Sequence, residues 1–226
     1  IYIIMSLTLL TSGTTKAPKT VIHSWEYIES CIQKSIKEIG LTSNDIVLDV
    51  FPANTIAHYT ITAMPAYRAG ARLVSAKFEA ASYIEKFKQT NPTYIALIPR
   101  HWELLKEVDE WNNLDMSSVR YMVTGSGPVS QEMINDFKSK GVQTVANWYG
   151  MTEQPPPVMI GYNTSSFDFD TIDSNTCHVM FNPVTATSSL AECIINGCST
   201  GDIFDMATKT FSHRRTASTG NTWKTI

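Results

Sequence analysis

The sequence predicts an α/β fold: a mostly parallel sheet covered by helices, followed by a small β-rich subdomain. Three observations carry that expectation. Apolar, β-branched runs recur at 46–51, 72–75, 94–98, 119–123 and 142–146. Helix-period segments fall between them, over 24–39, 80–89, 101–108 and 130–140. Past Glu153 the rhythm breaks at Gln154-Pro155-Pro156-Pro157, and the chain to Asp205 becomes rich in Ser, Thr, Asn and Asp with short apolar bursts.

Each element has a local reason. The first ten residues, Ile1 to Leu10, are apolar but about half the ~20 a bilayer span needs. They lack a basic leader region and a small-residue cleavage site, so they are expected to form a buried strand. From Ser24 onward Trp25, Ile28, Ile32, Ile36 and Ile39 recur at helical spacing, and Gly40 supplies a stop. A mixed helical segment is expected to run to Ala69, and Pro99 ends the strand at 94–98. Gly141 closes the helix at 130–140, and the tail from Ser212 is polar.

The composition, 43% hydrophobic and 17% charged, suits a globular chain with a substantial core. A formal charge of −3 gives no global attraction to nucleic acid or anionic membrane. Cys31, Cys177, Cys193 and Cys198 form no CxxC pair and match no common zinc spacing. They are expected to be reduced thiols, in line with a cytoplasmic protein without a membrane span.

The hydroxyl-rich stretch Thr11-Ser12-Gly13-Thr14-Thr15 lies between the apolar start and Lys16 and Lys19. A glycine lets backbone N–H groups converge on an anion, hydroxyls add directional donors, and lysines add cations. This is a plausible phosphate cradle, although a polar surface turn would also explain it, and it is not a Walker loop. Three further segments follow in order: Gly125-Ser126-Gly127 after the run at 119–123, then Asn147-Trp148-Tyr149-Gly150-Met151-Thr152-Glu153, then Thr200-Gly201-Asp202.

Together these motifs resemble, in order and spacing from about Thr8 to Asp202, the AMP-forming adenylate-forming superfamily of acyl-CoA synthetases, nonribosomal-peptide adenylation domains and luciferase. The resemblance implies a two-step reaction. A carboxylate attacks the α-phosphate of ATP and expels pyrophosphate, and the acyl-adenylate then passes its acyl group to a thiol such as CoA or to an amine. It assigns Ser12, Thr14, Thr15 and Lys19 to the β- and γ-phosphates, with Thr11 and Gly13 in the same loop. Gly125, Ser126 and Gly127 would border adenine, and Tyr149 would pack on its ring within the nucleotide-binding run Asn147 to Met151. Thr152 would donate to the α-phosphate and Glu153 would hold Mg²⁺, a cation that prefers oxygen ligands. Asp202 would accept the ribose hydroxyls, and Arg215 stands near the family's ribose arginine, with Arg214 as an alternative.

Duller roles compete for several of these. Glu153 could be a solvated acid, Asp202 a turn cap, and Trp148 a core residue in place of an acyl-pocket wall. Gap-free spacing from Gly70 puts the family's aromatic–His pair at Asn54-Thr55; His58 follows a helical turn later and is a candidate for the pocket or for structure. His101 and Trp102 follow Pro99 where relatives line the acyl pocket. The mixed character of Asn54, His58, His101 and Trp148 leans toward an aryl or short polar acid.

The chain also departs from the pattern. Lys16 replaces a glycine, and the segments that precede the phosphate loop and follow the hinge in relatives lie outside these 226 residues, including the domain with the adenylation lysine. The expected division is a nucleotide-binding core over 1–153, a β-rich subdomain over 154–211 and a hinge-like tail over 212–226. The expected partners are ATP or AMP and a small carboxylic acid, with a homo-oligomer shielding the side left open. A non-catalytic nucleotide or acyl-adenylate sensor is the alternative to an enzyme, and an eroded interaction module a third reading.

Overall fold

A computed structural model describes residues 6–11 and 19–214. Strands β1 (Ser6–Thr11) and β2 (Lys19–Ser24) form an antiparallel hairpin in which Thr11 lies opposite Lys19. Leu7, Leu9, Val21 and His23 point inward and alternate with exposed neighbours, the period-2 pattern of a half-buried strand pair. The expected order, loop then lysine then helix, is therefore corrected: a strand intervenes, and Lys19 begins it. Helix α1 (Trp25–Ile39) follows at once. The Ser24 hydroxyl accepts the Tyr27 N–H, and Gly40 adopts the left-handed conformation that ends it. Ile28, Ile32 and Ile39 are buried on one stripe, each contributing about 1.5–3 kcal/mol by leaving water.

The central sheet is built from β3 (Ile46–Asp49), β4 (Arg72–Ser75), β5 (Tyr94–Ala96), β6 (Tyr121–Gly125), β7 (Val145–Tyr149) and β8 (Met159–Tyr162). Their order is β4-β3-β5-β6-β7-β8. All pairs are parallel except β7 with β8. Side chains alternate between two cores. Leu48, Ile95, Met122 and Val145 face α3 (Ala80–Thr90), α4 (Pro99–Leu105) and α5 (Gln131–Ser139). Val47, Tyr94, Ala96, Tyr121 and Val123 share the opposite core with Ile39, and with Ile61 and Ala66 from the π-helical turn His58–Thr62 and α2 (Ala63–Ala69). Both faces are covered, as the continuous apolar strands require.

The amino end of this sheet is pinned by an ion pair. Buried Asp45 accepts Arg120 Nε at 2.7 Å and Nη2 at 2.8 Å, and the Thr93 hydroxyl at 2.7 Å. Burial pushes this carboxyl up, but the donors from Arg120, Thr93 and Thr42 outweigh it and bring it down to about 2.

A second, antiparallel sheet contains β9 (Val179–Pro183), β10 (Leu190–Ile195), β11 (Cys198–Asp205) and β12 (Thr210–Arg214), in the order β12-β11-β10-β9. Its core joins Phe204, Cys193 and Ile195 to Tyr149, Met159 and Phe167. Two expectations shift here. β7 starts at Val145, not 142, because Val142 turns in against Phe137 after Gly141, so the strand carries Asn147, Trp148 and Tyr149. β8 extends the central sheet past 153, and β12 carries regular structure beyond 212, so neither expected boundary coincides with a break in pairing. Among the described residues no helix is long and apolar enough to cross a membrane.

Candidate functional site

The carboxyl ends of β5, β6 and β7, with the segment after β3, open into a cleft lined by Phe51, Ile61, Leu97, Gly125, Ser126, Trp148 and Gly150, among others. Parallel sheets place ligands at this edge because the connecting loops gather there. Close backbone packing shapes the floor. A Cβ on Gly125 would lie 2.3 Å from the Trp148 carbonyl oxygen, and one on Gly150 would lie 2.6 Å from the Pro156 nitrogen. Only glycine fits either position. Ser126 takes a left-handed turn with φ 63°, carrying the chain around the cleft mouth. Gly127 lies beyond that turn, where a Cβ would come no closer than 4.0 Å to Pro99.

β7 splits its side chains between two neighbourhoods. Trp148 points to the cleft and to the core beside Ile61 and Tyr121, so it serves as wall and core together. Asn147 is buried and donates to the Ser165 carbonyl at 3.0 Å, holding the loop after β8 rather than facing the cleft. Tyr149 points to the second sheet. Its ring meets Phe204 edge-on at 5.1 Å and is 6% exposed. Its hydroxyl donates to Asp202 Oδ2 at 2.8 Å. Burial, then the nearby Cys193 and Asp202, holds this phenol well above its ordinary range, so it remains a donor. Burial likewise pushes the Cys193 thiol up to about 12.

Asp202 is 1% exposed and gathers three donors. Besides Tyr149 these are Arg214 Nε to Oδ1 at 2.7 Å and Nη2 to Oδ2 at 3.2 Å, a fork made possible because the two residues are direct cross-strand partners. The Asp202 carboxylate, and to a lesser degree Glu153, raises the Arg214 guanidinium above its ordinary value. Glu153 therefore lies within the field of the Asp202–Arg214 pair. Arg214 is the arginine that meets Asp202; Arg215 falls outside the described residues, as do Ser12, Gly13, Thr14, Thr15 and Lys16.

The mid-chain turn is also tied to the amino-terminal hairpin. His23 Nε2 donates to the Thr152 carbonyl at 2.7 Å, and Gln154 Nε2 donates to the Tyr27 hydroxyl at 2.6 Å. Lys19 begins the strand that carries His23, four residues or about 13 Å away. The sequence reading missed His23 and Tyr27. The available signal was the alternation Val21-x-His23, which puts an imidazole on the buried face of a strand.

The expected pocket residues divide. Asn54 is exposed in the turn after β3. His58 Nδ1 contacts the buried Asp49 carboxylate at 2.9 Å, which also accepts the Thr62 hydroxyl at 2.7 Å. His58 thus anchors the π-helical turn that delivers Ile61 to the cleft. His101 stacks on Phe78 at 3.9 Å beside Phe51, and burial lowers it to about 4, leaving it neutral near pH 7. A wider concavity between α4 and α5 is internally satisfied: its Asp136 accepts the indole N–H groups of Trp102 at 2.7 Å and Trp111 at 3.0 Å.

Among the described residues no group of three or more His, Cys, Asp or Glu could hold a metal ion. A Mg²⁺ carried mainly by substrate phosphates and water needs only one or two carboxylates, and Glu153 fits that lesser demand.

Residues 5–184 match the model of the family described as AMP-binding enzyme. The chain is 31% identical over 147 residues to the indoleacetate–CoA ligase of Aromatoleum aromaticum, covering 65% of this chain and 29% of that protein. It is 28% identical over 151 residues to 4-coumarate–CoA ligase 3 of Arabidopsis thaliana, covering 64% and 27%. It therefore spans under a third of the length of these relatives. Among solved structures, o-succinylbenzoate CoA synthetase of Bacillus subtilis, in complex with its acyl-adenylate intermediate, superposes with TM-score 0.74 at 20% identity, over 92% of this chain and 49% of that one. The N-terminal domain of FACL13 from Mycobacterium tuberculosis gives 0.72 at 21% identity, over 92% and 60%.

Proposed function

Since the chain belongs to the AMP-binding enzyme family, we propose that it forms the nucleotide-binding part of an enzyme that activates a carboxylic acid with ATP. A substrate carboxylate oxygen attacks the α-phosphorus, the bond to the bridging oxygen breaks, and pyrophosphate leaves with that electron pair. A thiol, for which CoA is the candidate, then attacks the acyl carbon of the adenylate; the new S–C bond replaces the C–O bond to phosphate, the thiol gives up its proton and AMP leaves. The observation that carries this reading is the convergence of the Thr152-Glu153 turn with the Asp202–Arg214 pair and, through His23, with strand β2, which begins at Lys19.

Each residue has work suited to its chemistry. Lys19 and the hydroxyls of 11–15 oppose the triphosphate charge, and Thr152 donates to the α-phosphate. Asp202 accepts ribose hydroxyls. Three of its roughly four acceptor positions are filled, so ribose has to share with or displace the half-exposed Arg214. Glu153 would hold Mg²⁺, which when bound neutralises charge on the departing pyrophosphate. Phe51, Ile61, Leu97 and Trp148 make the cleft apolar and aromatic, which favours an aryl acid.

ATP–pyrophosphate exchange over a panel of acids, led by arylacetates and hydroxycinnamates, tests the reading. Exchange with one acid, falling by at least two orders of magnitude in Glu153→Ala, is the expected result. Binding of ATP without exchange by any acid would favour a sensor instead.

A further inference from the structure

We infer that His23 and Tyr27 act as a clamp that positions Glu153 relative to the phosphate-binding hairpin, a role that rests on the nucleotide reading above. Glu153 sits between two residues that are each tied to the same short stretch of chain. On one side His23 Nε2 contacts the Thr152 carbonyl at 2.7 Å. A carbonyl only accepts, so this nitrogen carries the proton. On the other side the Gln154 amide donates to the Tyr27 hydroxyl at 2.6 Å. The turn is closed on itself by the Met151 N–H donating to the Gln154 carbonyl at 2.9 Å.

The two clamp residues form one unit. They stand four positions apart across the β2–α1 junction, with ring centroids 5.4 Å apart. The Ser24 hydroxyl between them caps α1 by accepting the Tyr27 N–H at 3.2 Å, which fixes where Tyr27 projects. His23 is 4% exposed, so its donor, once deprived of the Thr152 carbonyl, has little water to fall back on. Glu153 feels the charge of Arg214, and the backbone on either side of it is held by His23 and Tyr27, so the clamp sets where its carboxylate starts from. That placement is set by β2, the strand that begins at Lys19. One rigid strand thus connects a cation and an anion that must close on the same triphosphate and its magnesium.

The test measures the dissociation constant for Mg·ATP by calorimetry on the 226-residue chain. His23→Ala is expected to weaken binding about tenfold, the effect of losing one hydrogen bond of about 1.4 kcal/mol that holds the turn in place. His23→Gln, which keeps an N–H donor, is expected to recover most of that loss. In a Glu153→Ala background the His23→Ala change is expected to cost nothing further, because the carboxylate it positions is gone. Wild-type affinity in His23→Ala, no recovery in His23→Gln, or the same tenfold loss in the Glu153→Ala background would each overturn the clamp. A wild-type chain that binds no Mg·ATP would defeat the functional reading instead. Amide hydrogen exchange over 150–154 then reads the clamp alone: acceleration in His23→Ala, reversed in His23→Gln, upholds it, and unchanged exchange refutes it.

Discussion

Asp202 shows how much a single side chain can organise. It is nearly sealed, yet it bonds to the strand beside it through Arg214 and to the central sheet through Tyr149. The Tyr149 hydroxyl therefore joins two sheets by a hydrogen bond to a charged acceptor. Removing it in Tyr149→Phe should lower stability by about 1.5–3 kcal/mol, read as a reduced urea midpoint with unchanged slope. An unchanged midpoint would mean that aromatic packing around Phe204 holds the sheets together without this bond.

At the scale of elements, the amino ends of β3, β5 and β6 are joined through Asp45, Thr93 and Arg120. The Asp45 carboxyl sits at about 2 when folded, below its ordinary 3.8. The unfolded chain therefore binds its proton first as the pH drops. The stabilisation is fully present above about pH 4 and is lost as pH falls through about 2. It should amount to about 1–2 kcal/mol, a partial value because Arg120 is partly solvent-exposed. Denaturant melts between pH 5 and 2 should show this slope in the wild type and a shallower one in Asp45→Asn.

For the whole molecule, the nucleotide is expected to link the hairpin, the central sheet and the second sheet. Binding to the folded chain alone should raise the free energy of unfolding by about 2.7 kcal/mol at a hundredfold excess of Mg·ATP over its dissociation constant. A thermal melt with and without Mg·ATP checks this, and the shift should shrink in Asp202→Asn. A shift that is undiminished in that variant would place the nucleotide elsewhere.

The sequence by itself determined the alternation of strands and helices, because the spacing of Ile, Val and Leu dictates which faces must be buried, and Gly40 closes a helix through local backbone geometry alone. It also carried three of the four ordered motifs within residues 5–184, the span that the family model matches, with Thr200-Gly201-Asp202 beyond it. Only the tertiary structure decided the rest. That Tyr149 meets Asp202 depends on the second sheet packing against the face of β7 opposite Trp148, a contact across 53 residues of sequence. That His23 meets Thr152 depends on a contact across 129 residues of sequence. Hydrophobic periodicity is a local property and reports burial, whereas a hydrogen-bond partner is a property of where two distant segments come to rest.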